Sequence, residues 1–484
     1  MGGTQSTESP RESSLSKLPN DCWMHVLDQL SLEDTLSVLL TCKSLGAIAK
    51  PFVYRKIDWK WTETPLRRAL QLLRLIFKNQ EIASYVHHVH LLSSSRKEPW
   101  SDIASDMDWK DGIKEYEDVV EQTIDLVQRA QFSDMCEWTS ALRDGNFYAF
   151  VSILLSQLGN LKSLRLDYSF IWCGGYPGRM LKQALLSPNG VLSRFEHLRV
   201  VDYGGNVPMP EESGIHIEPK LGGFPASYNQ DQFMAWFCLP TVQHLAIWLR
   251  DTKKLEDIEF NLDRLQTLVL SRVTVSGKDV RFILSKVRNL KNLHVGMAYQ
   301  HPTQIALADG HFLVEGLLSV SHTLERLSLG VEYYPFNLGD REWDQEDDRL
   351  LKPFLNILKK FPKLRVAEIP VPILCGWDKD CAPDLNTLLP ETLCELHLRD
   401  DLSGMFDYEW DEIDIIEYVR QFVGHCWFST PMLKHITLRL WIETFSILWP
   451  DEEQELRLAC QEIGIDLSFV VDDLSLGLWV LRDL

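Results

Sequence analysis

His88 and His90 stand two residues apart, a spacing that puts both imidazoles on one face of a strand, where they could chelate a metal. No third ligand is evident, so we read them as solvated or target-facing histidines and expect no bound metal. Cys375 and Cys381 flank a loop, and none of the ten cysteines forms a C-x-x-C pair, so zinc-ribbon and dithiol chemistry are not expected. Gly174-Gly175-Tyr176-Pro177-Gly178 is glycine-rich, but the proline inside it and the absence of a preceding nucleotide-fold pattern make it a loop. The sequence holds no G-x-S-x-G, no G-x-x-x-x-G-K-[ST], no H-E-x-x-H and no G-x-G-x-x-G. We therefore expect no catalytic residue, no cofactor and no enzymatic activity of the chain's own.

Side chains that could recognise rather than react recur at a fixed place in a repeated pattern. The motif L-x-x-L-x-L, with apolar substitutions, starts at residues 161, 198, 242, 265, 290, 324, 364, 393 and 433, and Val86/Val89/Leu91 is a candidate earlier copy. Intervals of 23 to 44 residues exceed a regular leucine-rich repeat in several places, so insertions are expected, and Asn206 alone stands where the repeat's asparagine belongs. Helical stretches at 278–287, 348–359 and 414–423 lie between copies. The alternation resembles a degenerate leucine-rich repeat solenoid with a parallel sheet on its concave face; the competing reading is a set of unrelated βα units. Inner leucines would point to the core and the residues between them outward. That outward ladder collects Arg165, Asp167, Asp202, His244, Trp248, Arg250, His294, Arg326, Glu368, Glu395, His397, Arg399, His435 and Arg439, with His88 and His90 ahead of it. Arg165, Trp248, Arg250, Arg326, Arg399 and Arg439 are the candidate target contacts, and the arginine forks suit an acidic or phosphorylated protein target.

The segment ahead of the repeats reads differently. Leu18-Pro19 leads into Trp23, Val26, Leu27 and Leu30, one helical stripe. Ser31-Leu32-Glu33-Asp34 reads as a capping box for a second helix bearing Leu36, Leu39 and Leu40. A third helix runs from Thr41 to Lys50 and should stop at Pro51. Some 35 residues fall below the size of about 40 at which one core holds itself together. Leu18, Met24, Val26, Leu32, Val38 and Leu39 cannot all face so small an interior, so the unit must pack on the rest of the chain or meet a partner.

Quoted as it stands, Leu18-Pro19-x-Asp21-Cys22-Trp23-x-x-Val26-Leu27-x-x-Leu30, then Asp34-x-Leu36-Ser37-Val38, then Thr41-Cys42-Lys43-x-Leu45 resembles an F-box. Leu45 stands where the motif often has Trp. The resemblance covers about 37 residues and implies docking to a Skp-family adaptor, and through it to a cullin–RING ubiquitin ligase. Leu18, Pro19, Val26, Leu27, Leu30, Leu36, Val38 and Leu45 would be the adaptor contacts.

Bulk properties agree with a protein-binding role. Forty-nine basic against 69 acidic residues give a net charge of −20, which disfavours nucleic acid and anionic membranes as partners. Sixteen tryptophans imply extensive buried or partner-facing aromatic surface. The chain has no N-x-[ST] acceptor, no secretory leader and no apolar run long enough to span a bilayer, so a cytoplasmic or nuclear protein with reduced thiols is expected. Met1-Gly2 with Ser6 fits a myristoylation pattern, but little basic sequence supports it and a disordered polar tail is the stronger reading. The expected division is a tail at 1–16, an F-box at 17–55, a linker and first irregular repeats at 56–160 with an insertion at 95–118, and a repeat-built substrate-binding domain at 161–484. A second Pro- and Gly-rich insertion spans 206–232. Two rivals are an F-box scaffold that binds the adaptor without ubiquitin transfer and an undetected hydrolase or transferase within 120–320.

Overall fold

The structure, a computed structural model, describes residues 18–61, 63–93, 113–204, 229–300, 310–334, 357–401, 409–440 and 450–471. Three helices come first: α1 (Asn20–Gln29), α2 (Leu32–Thr41) and α3 (Lys43–Tyr54). Ser31 caps α2 as its sequence indicates, its hydroxyl accepting from the Asp34 N–H at 3.1 Å. Pro51 does not stop α3, which continues for one more turn to Tyr54. Only one i→i−4 bond is forfeited by the missing N–H, and packing of the following turn outweighs it. Gly46 lets α3 cross α2 closely, since a Cβ there would stand 2.8 Å from the Leu39 carbonyl oxygen.

From Lys56 onward the chain lays down a parallel sheet of twelve strands in sequential order. They are β1 (Lys56–Trp61), β2 (His88–Ser93), β3 (Ser163–Leu166), β4 (Val200–Tyr203), β5 (His244–Ile247), β6 (Thr267–Val273), β7 (Asn292–Gln300), β8 (Arg326–Tyr334), β9 (Val366–Pro370), β10 (Glu395–Arg399), β11 (His435–Leu440) and β12 (Asp466–Val471). Strand, helix and next parallel strand alternate along the chain, an arrangement of solenoid type. All ten L-x-x-L-x-L copies fall on β2 to β11. Residues 56–160 supply β1 and β2 with α4 (Leu66–Lys78), α5 (Glu81–Tyr85) and further helices to the same sheet, so this stretch belongs to the repeating body. The predicted helices at 278–287 and 414–423 appear as Gly277–Leu284 and Glu412–Val423, the second opened by a capping box from Asp411. The tail at 1–16 with Gly2, most of both insertions, Asn206 and most of the helix expected at 348–359 lie outside the described residues.

Register explains the core. Ile57, Val89, Leu164, Val201, Leu245, Leu268, Leu293, Leu327, Ala367, Leu396, Ile436 and Leu467 are aligned across all twelve strands and belong to the side that packs on the helices. One continuous core results, because each repeat buries its leucines only against its neighbours. Much of the tryptophan content goes there: Tyr168, Trp172 and Trp248 form an aromatic cluster of edge-on and tilted rings with centroids 5.6 to 6.2 Å apart, and Trp138, Trp172, Trp236 and Trp248 are all fully buried.

Candidate functional site

Two surfaces could meet a partner. The first is the helical unit at the N-terminus. From residue 18 to 54 only Trp23, Leu27, Thr35 and Ala49 are buried. Leu18, Met24, Val26, Leu32, Leu36 and Leu40 stay exposed, Leu32 at 58% and Leu40 at 81%. Six exposed apolar side chains on α1, α2 and the segment leading into α1 exceed the single scattered leucines normal on a protein surface. Of the expected contacts, Leu18, Pro19, Val26 and Leu36 are exposed, and Leu30, Val38 and Leu45 are half-buried. Leu27 is corrected: at 2% exposure it is buried, on the side of α1 that lines the cleft shared with β1 and α4, and is not open to a partner. Its place one residue on from Val26 turns it inward by the helical repeat. Leu40, which periodicity assigns to the inner stripe of α2, instead joins the bare face. α3 ties the unit to the body, packing on α5 and the start of β1.

Residues 15–54 match the F-box domain. The chain carries an F-box domain. None of the curated proteins compared with the chain matches it. F-box domains bind Skp-type adaptors of cullin–RING ligases, and F-box proteins are in general non-catalytic adaptors, so the match supports a role for this one as the adaptor-binding subunit of such a ligase.

The second surface is the sheet face turned away from the helices. Its central row runs Asp58, His90, Arg165, Asp202, Ala246, Val269, His294, Ser328, Glu368, His397, Thr437, Ser468. The row beside it includes His88, His244, Arg326, Glu395 and His435. The F-box protein thus places most of the expected ladder on one face, but not as a row of free cations. Arg399 is buried and ion-paired with Glu368 at 2.9 Å and Asp401 at 2.8 Å. Arg439 is also buried and lies 3.9 Å from the same Glu368. Two buried carboxylates hold these arginines, since an unpaired charge there would be prohibitive. Trp248 is fully buried in the aromatic cluster and touches no solvent. Arg399, Arg439 and Trp248 are therefore removed from the set of open target contacts. Asp167, Asp202 and His294 are buried as well. Arg165 and Arg250 are half-buried, and Arg326 is exposed.

Five histidines of this face, His88, His90, His244, His294 and His397, have their rings pushed toward the neutral form. Burial, helped by Arg55 beside His88 and Lys56 beside His90, pushes both rings down to about 4. Burial also lowers His244, His294 and His397. His244 Nδ1 lies 3.0 Å from the Thr267 hydroxyl, His294 Nδ1 3.2 Å from that of Ser328, and His435 Nε2 2.9 Å from that of Thr437. No group of three or more potential metal ligands exists among the described residues, and the His88/His90 pair gains no third ligand there. Nor does any described helix have the length and apolarity to cross a membrane.

Proposed function

We propose that this F-box protein is the substrate-recognition subunit of a Skp–cullin–F-box ubiquitin ligase. The F-box, residues 17–55, docks the adaptor; the leucine-rich-repeat-like body from Lys56 onward holds a target protein. Catalysis is proximity, supplied by other subunits, and the chain itself performs no chemistry. A cytoplasmic or nuclear setting follows from that partnership. The observation that carries the reading is the bare aliphatic face of α1 and α2 on a unit with only four buried residues. Association would bury Val26, Leu32, Leu36 and Leu40 in the apolar centre of an interface. The target would meet the hydrogen-bonding face of the sheet, with Arg326, Arg165 and Arg250 as its cationic contacts.

Co-expression of the full chain with a Skp-family adaptor and a cullin tests the first half. The wild type should retain both through purification, and Val26→Asp with Leu36→Asp should lose both without lowering the melting temperature. Retention by the double variant would refute adaptor docking by this face. Adaptor without cullin would point instead to a scaffold that delivers nothing for ubiquitination.

A further inference from the structure

β1 is the first strand of the sheet and, among the described residues, pairs on one side only. Arg55 turns its carbonyl oxygen toward β2, where it accepts from the N–H groups of His87 and His88 at 2.9 and 3.1 Å. Backbone groups of successive strand residues point to opposite edges, so Ile57 and Trp59 continue toward β2. Lys56, Asp58 and Lys60 accordingly aim their N–H and C=O groups outward. No described residue bonds to these outward groups.

This edge runs along a cleft of about 920 Å³, left where the F-box overhangs the first repeat. Leu30 and Leu32 come from the F-box side, Phe52 and Val53 from the end of α3, and Leu72 and Leu75 from α4. Leu72 and Leu75 are half-buried, so the helix layer is not sealed at this end of the sheet. Charge in the cleft is biased. Arg55 is paired with Asp28, Lys56 with Asp58 at 2.7 Å, and Arg68 has no ion pair among the described residues. A cationic excess in a chain of net charge −20 favours an acidic occupant. Charged residues on an edge strand discourage indiscriminate pairing, and here they would select by charge.

We propose that this edge takes up an extended, mildly acidic peptide from a partner polypeptide as a further strand. Its backbone would bond to the outward groups of Lys56, Asp58 and Lys60, its alternate apolar side chains would enter the cleft, and a carboxylate would reach Arg68. The site is distinct in mechanism from the bare face of α1 and α2, and its test does not require an adaptor.

The probe is a fluorescein-labelled hexapeptide of alternating valine and threonine with an aspartate at one end, titrated into the full chain and followed by anisotropy. Saturable binding is expected. N-methylation of one of the two alternating sets of peptide nitrogens should weaken it at least about tenfold, and the other set should matter little. Asp58→Pro should weaken it similarly and leave the melting temperature nearly unchanged, because that N–H makes no bond within the sheet. Arg68→Glu should also weaken it. Absence of saturable binding would overturn the proposal, as would affinity indifferent to both N-methylated sets, a result independent of how any variant folds. Binding seen only after removal of residues 1–17 would overturn it too, because the chain's own tail would then be the occupant.

Discussion

Arg399 shows how a residue type at the right spacing can mislead about its role. Alternation places it on the outward face of β10, and a lone arginine there would suit an acidic target. Glu368 on β9 and Asp401 just beyond β10 surround it instead, and Asp401 also accepts from the Val331 N–H at 2.8 Å. The ion pairing joins three neighbouring strands and is fully buried, so its loss should register in stability before binding. Arg399→Met should lower stability by about 3 to 5 kcal/mol in a denaturant titration, because buried Asp401 and Glu368 both lose the guanidinium that bridges them and Glu368 keeps only Arg439, at 3.9 Å. Arg326→Glu, at an exposed position, should leave stability within about 0.5 kcal/mol and affect only target capture. Equal effects of the two would contradict the burial described. His88 and His90 make a second residue-scale prediction. Their folded pKa values, about 4, lie below the ordinary 6.5, so on acidification the unfolded chain takes up protons first. The stability they permit is complete above about pH 6.5 and declines as pH falls toward 4. His88→Gln with His90→Gln should therefore reduce the fall in melting temperature between pH 7 and pH 5. An unchanged pH slope would show that the rings are not desolvated.

At the scale of elements, the F-box separates residues that hold it together from residues that serve a partner. Leu27 is buried in a unit with few other buried side chains, and Leu40 is largely exposed. Leu27→Ala should cost about 2 to 4 kcal/mol of local stability, read as faster amide exchange in α1 to α3. Leu40→Asp should leave that exchange unchanged and weaken adaptor binding. Reversal of the two outcomes would mean that the helices are packed otherwise. The strands were more legible than this inner and outer distinction. Ten copies of one apolar pattern mark β2 to β11, since each must bury three side chains at the same spacing. β1 and β12 escape the same reading for a physical reason. Tyr54, Ile57 and Trp59 put aromatic rings at the first and third positions of β1, and Gly464 leaves the first position of β12 without a side chain. The outward ladder was legible in direction and not in burial. Alternation says which face a residue takes, whereas its accessibility depends on charges contributed by neighbouring strands and the loops beyond them, and on which rings pack beyond the strand ends, as Trp248 does.

At the scale of the whole molecule, a sequentially ordered parallel sheet makes stability a sum over neighbouring repeats, with the two ends least supported. The F-box joins this array mainly through α3, which rests on α5 and the start of β1, while the leucine rows run on without it. Removal of residues 1–54 should accordingly leave a body that still unfolds cooperatively. Its melting temperature should fall by a few degrees, since Ile57, Leu72 and Leu75 lose cover at the first repeat and the rest of the core does not. The same truncation divides partners by function. Those lost with residues 1–54 belong to the adaptor side, and those retained bind the repeat body. If the truncated chain instead lost its cooperative transition, the F-box would be a structural cap on the sheet rather than a module appended to it, and partner losses could no longer be assigned to the bare faces of α1 and α2.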